Sequence, residues 1–385
     1  MTTPRSRTKR ISLLVALALA TAILTVSPSS ATVFPAGPSA GGLSSDNVEW
    51  VRHVPLAVDG VGGRLIDGWF YANDQNKIMI FDISDPEDPQ MVGQVPMPQE
   101  VYLSREDLDG NGELLIVPNT LSGALHIVST EDKTNPQIIS EVPGADSHTS
   151  SCVLNCRYVY NSNGQIIDLR NPSKPKLVEE KWFDGLPASS SHDVEEVAPG
   201  RVLTASQPIM LLDVRKDPLH PKLLAVGKQP EDGRFIHTPR WPKGKDDFLL
   251  MAGETNANVT CDESSAAFMT WDATKWKKTH TFTMIDEYRA TNGMYADGSP
   301  PASLSCSTHW HEAHPSFRNG GLVVSAMFEH GARFIDVSSK GKIEEIGWFL
   351  PAAGSTSAVY WITDEIAYTL DYNRGIDVIR WTGKL

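Results

Sequence analysis

The sequence predicts an all-β protein, a seven-bladed β-propeller closed by an N-terminal strand that completes the last blade. Three observations predict this fold: a unit that recurs seven times, an apolar strand on each side of that unit's turn, and a last copy that lacks its outer strand. A β-sandwich also contains many short strands, but it does not predict one unit recurring seven times.

The chain begins with a segment typical of a secretory signal peptide. Basic residues from Arg5 to Arg10 precede an uncharged apolar run over residues 11–26, and small residues lead to Ala31. The apolar run is shorter than the roughly 20 residues that a membrane-spanning helix needs. We therefore predict a signal peptide over residues 1–31 and a secreted protein.

Two further parts follow the predicted signal peptide. Residues 32–46 are rich in Ser, Gly, Pro and Ala and are predicted to be a flexible tether. Residues 47–385 are predicted to be the propeller, because this length exceeds one ordinary core unless repeated units divide it. The net charge of −13 argues against nucleic acid and anionic membranes as partners. We expect a monomer.

Four cysteines in an exported chain are expected to form disulfides. Cys152 and Cys156 are separated by three residues, which is close enough for a bridge across a hairpin turn. Cys261 and Cys306 would then form the second disulfide. This is one of three possible pairings, and the sequence leaves the other two open.

The repeated unit is clearest at residues 81–93, FDISDPEDPQMVG. It returns as IDLRNPSKPKLV at residues 167–178 and as LDVRKDPLHPKLL at residues 212–224. Weaker copies centre on four further positions, which are Ser129, Asp272, Asp336 and Asp377. The seven copies have a mean spacing of about 49 residues, near the period of blade-type repeats.

Each copy has a physical logic. An apolar, β-branched run favours a strand, the Asp and Pro residues form a turn that ends it, and a second short apolar run follows. Another pair of strand-like runs lies upstream, as at residues 194–197 and 201–205 around Pro199 and Gly200. Four strands per repeat is typical of a propeller blade.

The two ends of the chain complement each other. The last copy, residues 375–381, is followed by only four residues, so its blade lacks an outer strand. Residues 48–55, VEWVRHVP, alternate like the missing strand and are similar to MVGQVP at residues 91–96. We predict that this N-terminal strand pairs with the last blade and leaves no open edge.

The Asp-Ile-Ser-Asp-Pro element at residues 82–86 and the Pro-x-x-Val-Gly element at residues 89–93 resemble those of the LVIVD-repeat family of extracellular β-propellers. The resemblance covers essentially the whole chain after residue 46, although the second, fifth and sixth copies depart from the motif. It implies a propeller fold and an extracellular location, and it implies little chemistry.

Histidines recur in phase with the repeat. Alignment of the copies places His148, His192, His237 and His314 at or near the start of the innermost strand in blades three to six. The first three lie 44 and 45 residues apart. Since innermost strands line the central channel of a propeller, we predict that these imidazoles meet near one axis.

The segment before the sixth blade adds further candidates. His309 and His311 lie on the same side of an extended segment, with the carboxylate of Glu312 between them and His314. Loops of the same face are predicted to bring further residues near the channel mouth, namely Glu254, Cys261, Cys306, Glu329 and His330.

Several imidazoles meeting at one point are typical of a site for copper, zinc or iron. The first hypothesis is a metal-dependent enzyme, with three or four ligands from the set His148, His192, His237, His309, His311 and His314. Glu312, Glu329 or Glu254 would orient ligands or transfer protons. Copper would suit an oxidoreductase and zinc a hydrolase. Alternatively, these histidines are inherited repeat residues that hydrogen-bond to the neighbouring blade.

The second hypothesis is a non-catalytic module that binds a protein, peptide or glycan of the cell envelope, since many propellers bind without catalysis. In either case we expect the ligand, a small molecule or envelope component, at the channel mouth. The segment SHTSSC at residues 147–152 is distantly similar to the His-Thr-x-His-Cys element of methanethiol oxidases, which are also propellers with metal. Here Ser151 stands where that element has its second histidine.

Residues 107–113, DLDGNGE, resemble the first half of a calcium loop. However, Pro118 occupies the position where a bidentate Glu would close the loop. We therefore predict a tight hairpin turn here.

Overall fold

The computed structural model describes residues 41–56, 62–74, 76–98, 106–228, 230–255, 264–290 and 307–384. Regular structure in these residues is β-strand, apart from one short helix, α1 (Trp276–Thr279), and 3-10 turns at Pro242–Gly244 and Ser264–Ala266. No helix in this described part has the length and apolar character that crossing a membrane requires. The predicted signal peptide lies outside the described residues.

The strands of the first half of the chain are β1 (Gly42–Ser44), β2 (Val48–Pro55), β3 (Gly63–Ile66), β4 (Trp69–Asn73), β5 (Lys77–Asp82), β6 (Gln90–Pro96), β7 (Asp109–Gly110), β8 (Leu114–Asn119), β9 (Ala124–Ser129), β10 (Gln137–Pro143), β11 (Ser150–Val153), β12 (Tyr158–Asn161), β13 (Gln165–Asp168) and β14 (Lys176–Lys181).

The strands of the second half are β15 (Ser191–Ala198), β16 (Arg201–Ser206), β17 (Met210–Asp213), β18 (Lys222–Lys228), β19 (Ile236–Arg240), β20 (Phe248–Gly253), β21 (Phe268–Asp272), β22 (Thr281–Tyr288), β23 (His311–Ala313), β24 (Gly321–Ala326), β25 (Ala332–Val337), β26 (Ile343–Pro351), β27 (Thr356–Trp361), β28 (Ile366–Asp371) and β29 (Gly375–Trp381).

Antiparallel groups of consecutive strands make up the sheets. Strands β3–β6, β7–β10 and β11–β14 form one four-stranded sheet each. Strands β15–β18 and β19–β22 are two such groups, and the parallel pairing of their outer strands β18 and β22 joins them into one eight-stranded sheet. Strands β23–β26 form a further group, to which β1 is added, and β27–β29 are completed by β2.

The predicted turn of the repeat has the same hydrogen bonds in several copies. Asp82 Oδ1 accepts the backbone N–H of Ser84 at 2.8 Å, and Asp213 Oδ1 accepts that of Arg215 at 3.1 Å. The carboxylate accepts the backbone N–H of the residue two positions later. The strand can therefore end there without leaving that amide unpaired. The Asp residues of the motif therefore form the turns of these sheets.

Burial differs between the strands of one group. The middle strands β4 and β5 have an apolar, mostly buried sequence, whereas the outer strand β6 alternates between buried and exposed residues. This pattern is expected when the inner strands are covered on both faces and the outer edge meets solvent. The rings of Phe70 on β4 and Tyr360 on β27 pack edge to face at 5.2 Å, so the first and last groups are in contact.

The N-terminal strand β2 pairs antiparallel with β29, from Val48 opposite Trp381 to Pro55 opposite Gly375. This is the pairing predicted from the sequence. The buried carboxylate of Asp377 fixes it, because it accepts hydrogen bonds from Trp50 Nε1 at 3.0 Å and from His53 Nδ1 at 3.1 Å.

The described end of the predicted tether is not free chain. Gly42–Ser44 form β1, which pairs with β26, and the Ser45 hydroxyl lies 2.7 Å from Asn47 Oδ1. Gly42 has no room for a side chain, since a Cβ there would meet the backbone oxygen of Leu350 at 2.1 Å. The small residues of this segment thus allow close approach to a sheet. The remainder of the tether lies outside the described residues.

A disulfide joins Cys152 and Cys156 across the turn between β11 and β12, as predicted. The other predicted pair, Cys261 and Cys306, lies outside the described residues. The predicted hairpin turn after Asp109 is also confirmed, because β7 pairs with β8 and Asn111 Oδ1 accepts the N–H of Leu114 at 2.9 Å.

The first strands of successive groups lie next to one another. Strand β11 contacts β7 and β15, β15 contacts β19, and β23 contacts β27. Residues at the start of these strands, although about one repeat apart in sequence, are therefore brought together.

Candidate metal centre

Four imidazoles surround one buried carboxylate at the start of these first strands. Glu106 Oε2 lies 2.5 Å from His148 Nε2 and 3.5 Å from His192 Nε2. Glu106 Oε1 lies 3.3 Å from His237 Nε2 and also contacts His309 Nε2. All four rings present Nε2 to the same group. We call Glu106, His148, His192, His237 and His309 the histidine cluster.

Each member belongs to a different group of strands. Glu106 precedes β7, His148 precedes β11, His192 lies on β15, His237 lies on β19, and His309 precedes β23. The rings follow one another at centroid distances of 4.9, 3.8 and 4.1 Å from His148 to His309. The side chain of His148 is 36% exposed, whereas that of Glu106 is 4% exposed. The cluster is therefore reached from the side of His148.

Two rings are oriented by hydrogen bonds at Nδ1. His309 Nδ1 lies 2.6 Å from the carbonyl oxygen of Ser357, which can only accept a proton. His237 Nδ1 lies 2.7 Å from Thr238 Oγ1, which donates its own proton to Asp193 Oδ2 at 3.1 Å. In the neutral state both rings therefore carry the proton on Nδ1 and direct the Nε2 lone pair at the centre. Metal-binding histidines are oriented in this way.

The electrostatics couple the imidazoles to the carboxylate. Burial opposes ionisation of Glu106, but the charges of His309, His237 and His148 outweigh it and hold the pKa of this carboxyl well below its usual range. Burial likewise opposes protonation of His148 and His309, but Glu106 outweighs it and raises the pKa of each to about 9. Burial lowers the pKa of His237. Without metal, the cluster is thus held by ion pairs.

The donor atoms lie close enough to suit metal ions. The ligand atoms of Glu106, His237 and His309 are all within 4.8 Å of one another, and so are those of Glu106, His148 and His192. A third group consists of His192, Asp193 and His237. Neutral imidazole nitrogens with a carboxylate oxygen are a donor set that zinc, copper and iron accept. The residues present therefore fit a transition metal.

Among the predicted ligands, His148, His192, His237 and His309 come together, whereas His314 does not. The sequence alignment placed His314 at the start of the innermost strand of the sixth blade, but β23 spans His311–Ala313 and His314 follows it. Its Nε2 contacts the carbonyl oxygen of Asp364 at 2.8 Å and its Nδ1 contacts Ser316 Oγ at 2.7 Å. His314 is thus held between two neighbouring sheets.

His311 is also outside the cluster. It is fully buried, and its ring packs edge to face on Phe268 at 5.2 Å. Burial and the nearby charge of Arg240 lower the pKa of His311 well below its usual value. His309 and His311 therefore have different environments, although they alternate along one segment.

The three predicted carboxylates are in different places. Glu254 borders the cluster, with carboxylate oxygens 4.0 Å from Nε2 of His237 and of His309. Glu329 is buried in the turn between β24 and β25, next to His330. Glu312, on β23, lies near two arginines, and burial raises its pKa more than their charges lower it. Glu254 is thus the predicted carboxylate that lies at the edge of the histidine cluster.

Sequence reasoning missed Glu106 and Asp193. Glu106 lies 42 residues before His148, close to the spacings of 44 and 45 that separate the next histidines. Extending the repeat phase back by one copy, without requiring a histidine, would have found it. Asp193 follows His192 directly, and in a regular strand it would point away from the channel.

A second, partly buried ionic group, the arginine cluster, lies on the first strands of four groups. It consists of Arg64 on β3, Asp109 on β7, Glu195 on β15 and Arg240 on β19. Arg64 Nη2 lies 3.2 Å from Asp109 Oδ1 and 3.4 Å from Glu195 Oε2, and Arg240 Nη1 lies 3.0 Å from Glu195 Oε2. The guanidinium of Arg240 also packs 4.6 Å from the centre of the Trp310 ring.

Register shifts explain how one strand serves both clusters. His192 and Glu195 are three residues apart on β15, and His237 and Arg240 are three apart on β19. Residues with this separation point to opposite faces of a regular strand. The pairing of β15 with β16 shifts between Ser191 and Val194, and the pairing of β19 with β20 shifts within residues 236–238. A β-bulge of this kind re-aims a side chain.

Comparison with known proteins identifies the repeat and the fold. Residues 65–96, which contain β4, β5 and β6, match the family model described as "LVIVD repeat". The solved structure titled "Structure of U3-55K" is similar with a TM-score of 0.57, at 8% identity, over 87% of this chain and 98% of that one. "Crystal structure of RRP9 WD40 repeats" is similar with a TM-score of 0.58, at 8% identity, over 88% and 98%. The curated proteins include no match. At this identity the structural likeness concerns fold alone.

Proposed function

The chain carries an LVIVD repeat on a β-propeller fold, and on that premise we propose that it is a secreted metal-dependent oxidoreductase with its metal centre in the histidine cluster. The observation that carries the proposal is that four imidazoles from four groups of strands turn Nε2 towards one buried carboxylate. Copper is the first candidate metal, and zinc or iron are the others.

The proposal includes a ring of seven blades. Seven blades follow if the two halves of the eight-stranded sheet are counted separately and the β27–β29 group is counted with β2. The pairing of β2 with β29 would close this ring. Contacts between first strands of successive groups support the arrangement, since those strands line the channel of a propeller.

Secretion is proposed from the N-terminal sequence and is supported by the disulfide between Cys152 and Cys156. Disulfides persist in oxidising compartments and are rare in the cytosol. An exported chain would meet metal outside the reducing interior of the cell.

The residues of the centre would have distinct tasks. His148, His192, His237 and His309 would bind the metal through Nε2, and Glu106 would bind it or balance its charge. A bound copper ion would supply one-electron redox chemistry. Glu254, 30% exposed and 4.0 Å from two of the imidazoles, is placed to hold or release a proton at the edge of the centre. The opening beside His148 would admit a small molecule.

Metal analysis of the secreted chain, with its disulfides intact, tests the proposal. We expect copper in stoichiometric amount in the purified protein. The double variant His192→Ala with His237→Ala should lose it, because it removes two of four imidazoles. His220→Ala is the matched control, since that histidine is exposed and pairs with Asp217 at 3.0 Å on another surface. A chain that binds no transition metal after exposure to copper, zinc and iron would contradict the proposal.

The identity of the metal decides between reaction classes. Stoichiometric zinc, with no redox activity, would favour a hydrolase instead of an oxidoreductase. Retention of partner binding by metal-free protein would favour a non-catalytic binding module, a role that other propellers have.

A further inference from the structure

We propose that the histidine cluster is a two-metal centre in which the carboxylate of Glu106 bridges the two ions. The inference rests on the proposed function, because it concerns the number of ions in the same centre. Each ion would have one oxygen of Glu106 and two imidazoles as ligands.

The contacts of Glu106 divide evenly between its two oxygens. Oε2 faces His148 at 2.5 Å and His192 at 3.5 Å, while Oε1 faces His237 at 3.3 Å and also contacts His309. A single ion would need the four imidazoles to meet at one point, whereas here two of them face each oxygen. Two imidazoles at each oxygen are what a bridging carboxylate requires.

Two of the three close groups of donor atoms have the same division. One is the triad of Glu106, His148 and His192 and the other is that of Glu106, His237 and His309, each within 4.8 Å, and Glu106 is common to both. The third group, His192, Asp193 and His237, lies where the two triads meet. Ligands of one zinc-like ion lie about 2.0–2.2 Å from it, so that no two of them are more than about 4.4 Å apart. Since 4.8 Å is the upper bound of the distances in each triad, at most a small contraction of the longest of them meets this limit.

Local charge favours more than one cation. Besides Glu106, the carboxylate of Asp193 lies 3.3 Å from His192 Nδ1, and that of Glu254 lies 4.0 Å from two ring nitrogens. The arginines of the neighbouring cluster are paired with Asp109 and Glu195. With neutral imidazoles, the three carboxylates at the histidine cluster carry one more negative charge than a single divalent ion would neutralise.

The arrangement indicates the kind of ligand that the centre would bind. Two-metal sites hold their ions about 3.5–4 Å apart and clamp oxygen atoms between them. Three protein donors on each ion leave coordination positions free. The centre would thus take a small oxygen-donor molecule that contacts both ions, and the side of His148 is the way in because that ring is the most exposed of the four.

The experiment counts ions in the full secreted chain. Protein stripped with a chelator is reconstituted with Cu(II), excess ion is removed, and copper per chain is measured by mass spectrometry alongside electron paramagnetic resonance. We expect two copper ions per chain and a coupled pair, seen as a half-field transition or as copper that gives no signal. One ion per chain would overturn the two-metal inference and leave the proposed function standing. No ion would overturn both.

Variants test the bridge and each half. Glu106→Gln should abolish the coupling and lower the copper content by at least one ion. His237→Ala with His309→Ala should remove one ion and keep the other at His148 and His192. His148→Ala with His192→Ala should keep only the ion at His237 and His309. His220→Ala should keep two coupled ions. Two ions with isolated spectra in the unchanged protein would overturn the inference, and this measurement does not depend on any variant folding.

Discussion

Glu106, just before β7, and Glu195, on β15, are two carboxylates shielded from solvent, and they differ in their partners. Glu195 is paired with the guanidinium groups of Arg64 and Arg240, which stay protonated at all accessible pH values and have no lone pair for a metal. Glu106 is paired with imidazoles, which become metal ligands once they have lost their second ring proton. The carboxylate of Glu195 therefore forms ion pairs that persist at all these pH values. The carboxylate of Glu106 lies among groups that could exchange a proton for a metal ion.

The largest expected effect tests the structural side of this comparison. Glu195→Gln would remove the charge that the partly buried Arg64 and Arg240 share and leave Arg64 with Asp109 alone, and we expect a loss of about 3 kcal/mol in the free energy of unfolding. Urea unfolding measures it. Glu179→Gln, on the exposed side of β14, is the control and should change little. A loss below about 1 kcal/mol for Glu195→Gln would show that this pair does not hold the sheets together.

The buried carboxylate of Asp371 shows what happens without a pair of arginines or imidazoles, because its burial makes the free energy of unfolding depend on pH. Burial raises the pKa of Asp371 to about 6 from its ordinary 3.8, and this effect outweighs the nearby charge of Arg374, which lowers it. Its folded-state pKa is above the unfolded one, so the protonated form stabilises the protein at low pH and this contribution is lost as pH rises from about 4 to 6. The total is about 3 kcal/mol.

Unfolding midpoints of the parent and of Asp371→Asn, measured between pH 4 and 8, test this sign. The difference between the two proteins should change across pH 4 to 6 and be level above it. A difference that is constant with pH would contradict the raised pKa of Asp371.

A smaller effect concerns the hydrogen bond that orients His237. Thr238→Val removes the hydroxyl that lies between His237 Nδ1 and Asp193, and we expect copper affinity to fall about 10–100-fold. Competition titration with a chelator of known affinity measures it. Thr204→Val is the control, since that buried hydroxyl contacts Ser206 and Met210 instead of the cluster. Equal losses in both variants would contradict an orienting role.

The smallest effect is expected at an arginine–carboxylate ion pair that is exposed to solvent. Arg215 contacts Asp213 at 2.5 Å at the end of a repeat turn, and its side chain is 56% exposed. Arg215→Ala should change the free energy of unfolding by less than about 1 kcal/mol, because solvent screens such pairs. Urea unfolding of Arg215→Ala and of Glu195→Gln under the same conditions compares the two losses. A loss as large as that of Glu195→Gln would mean that burial does not set the difference.

Much of the fold was predictable because it depends on local patterns. The Asp-Pro turn repeats with its hydrogen bonds, and the alternating segment over residues 48–55 pairs where the missing strand was expected. His148, His192 and His237 were found because almost equal spacing in sequence becomes an equal position in successive groups of strands.

The remaining site residues depend on features that spacing does not reveal. The long segment between β22 and β23 shifts the sixth copy, so alignment by the turn motif chose His314 where the structure has His309. Bulges on β15 and β19 decide which of several neighbouring polar residues face inwards. Glu106 was not predicted because only histidines were expected at this position of each copy, although the carboxylate lies at nearly the same spacing.

The pairing of β2 with β29 also determines when folding can finish. Glu49 and Arg380 are register partners although more than three hundred residues separate them. The entropy cost of closing so long a loop rises only slowly with length, by about 0.6 kcal/mol per doubling, but such distant contacts form slowly. The last sheet therefore stays incomplete until the end of the chain is available, and a nascent or truncated polypeptide has exposed strand edges. If a chain crossed a membrane before folding, β2 would have no partner strand until the final residues had crossed.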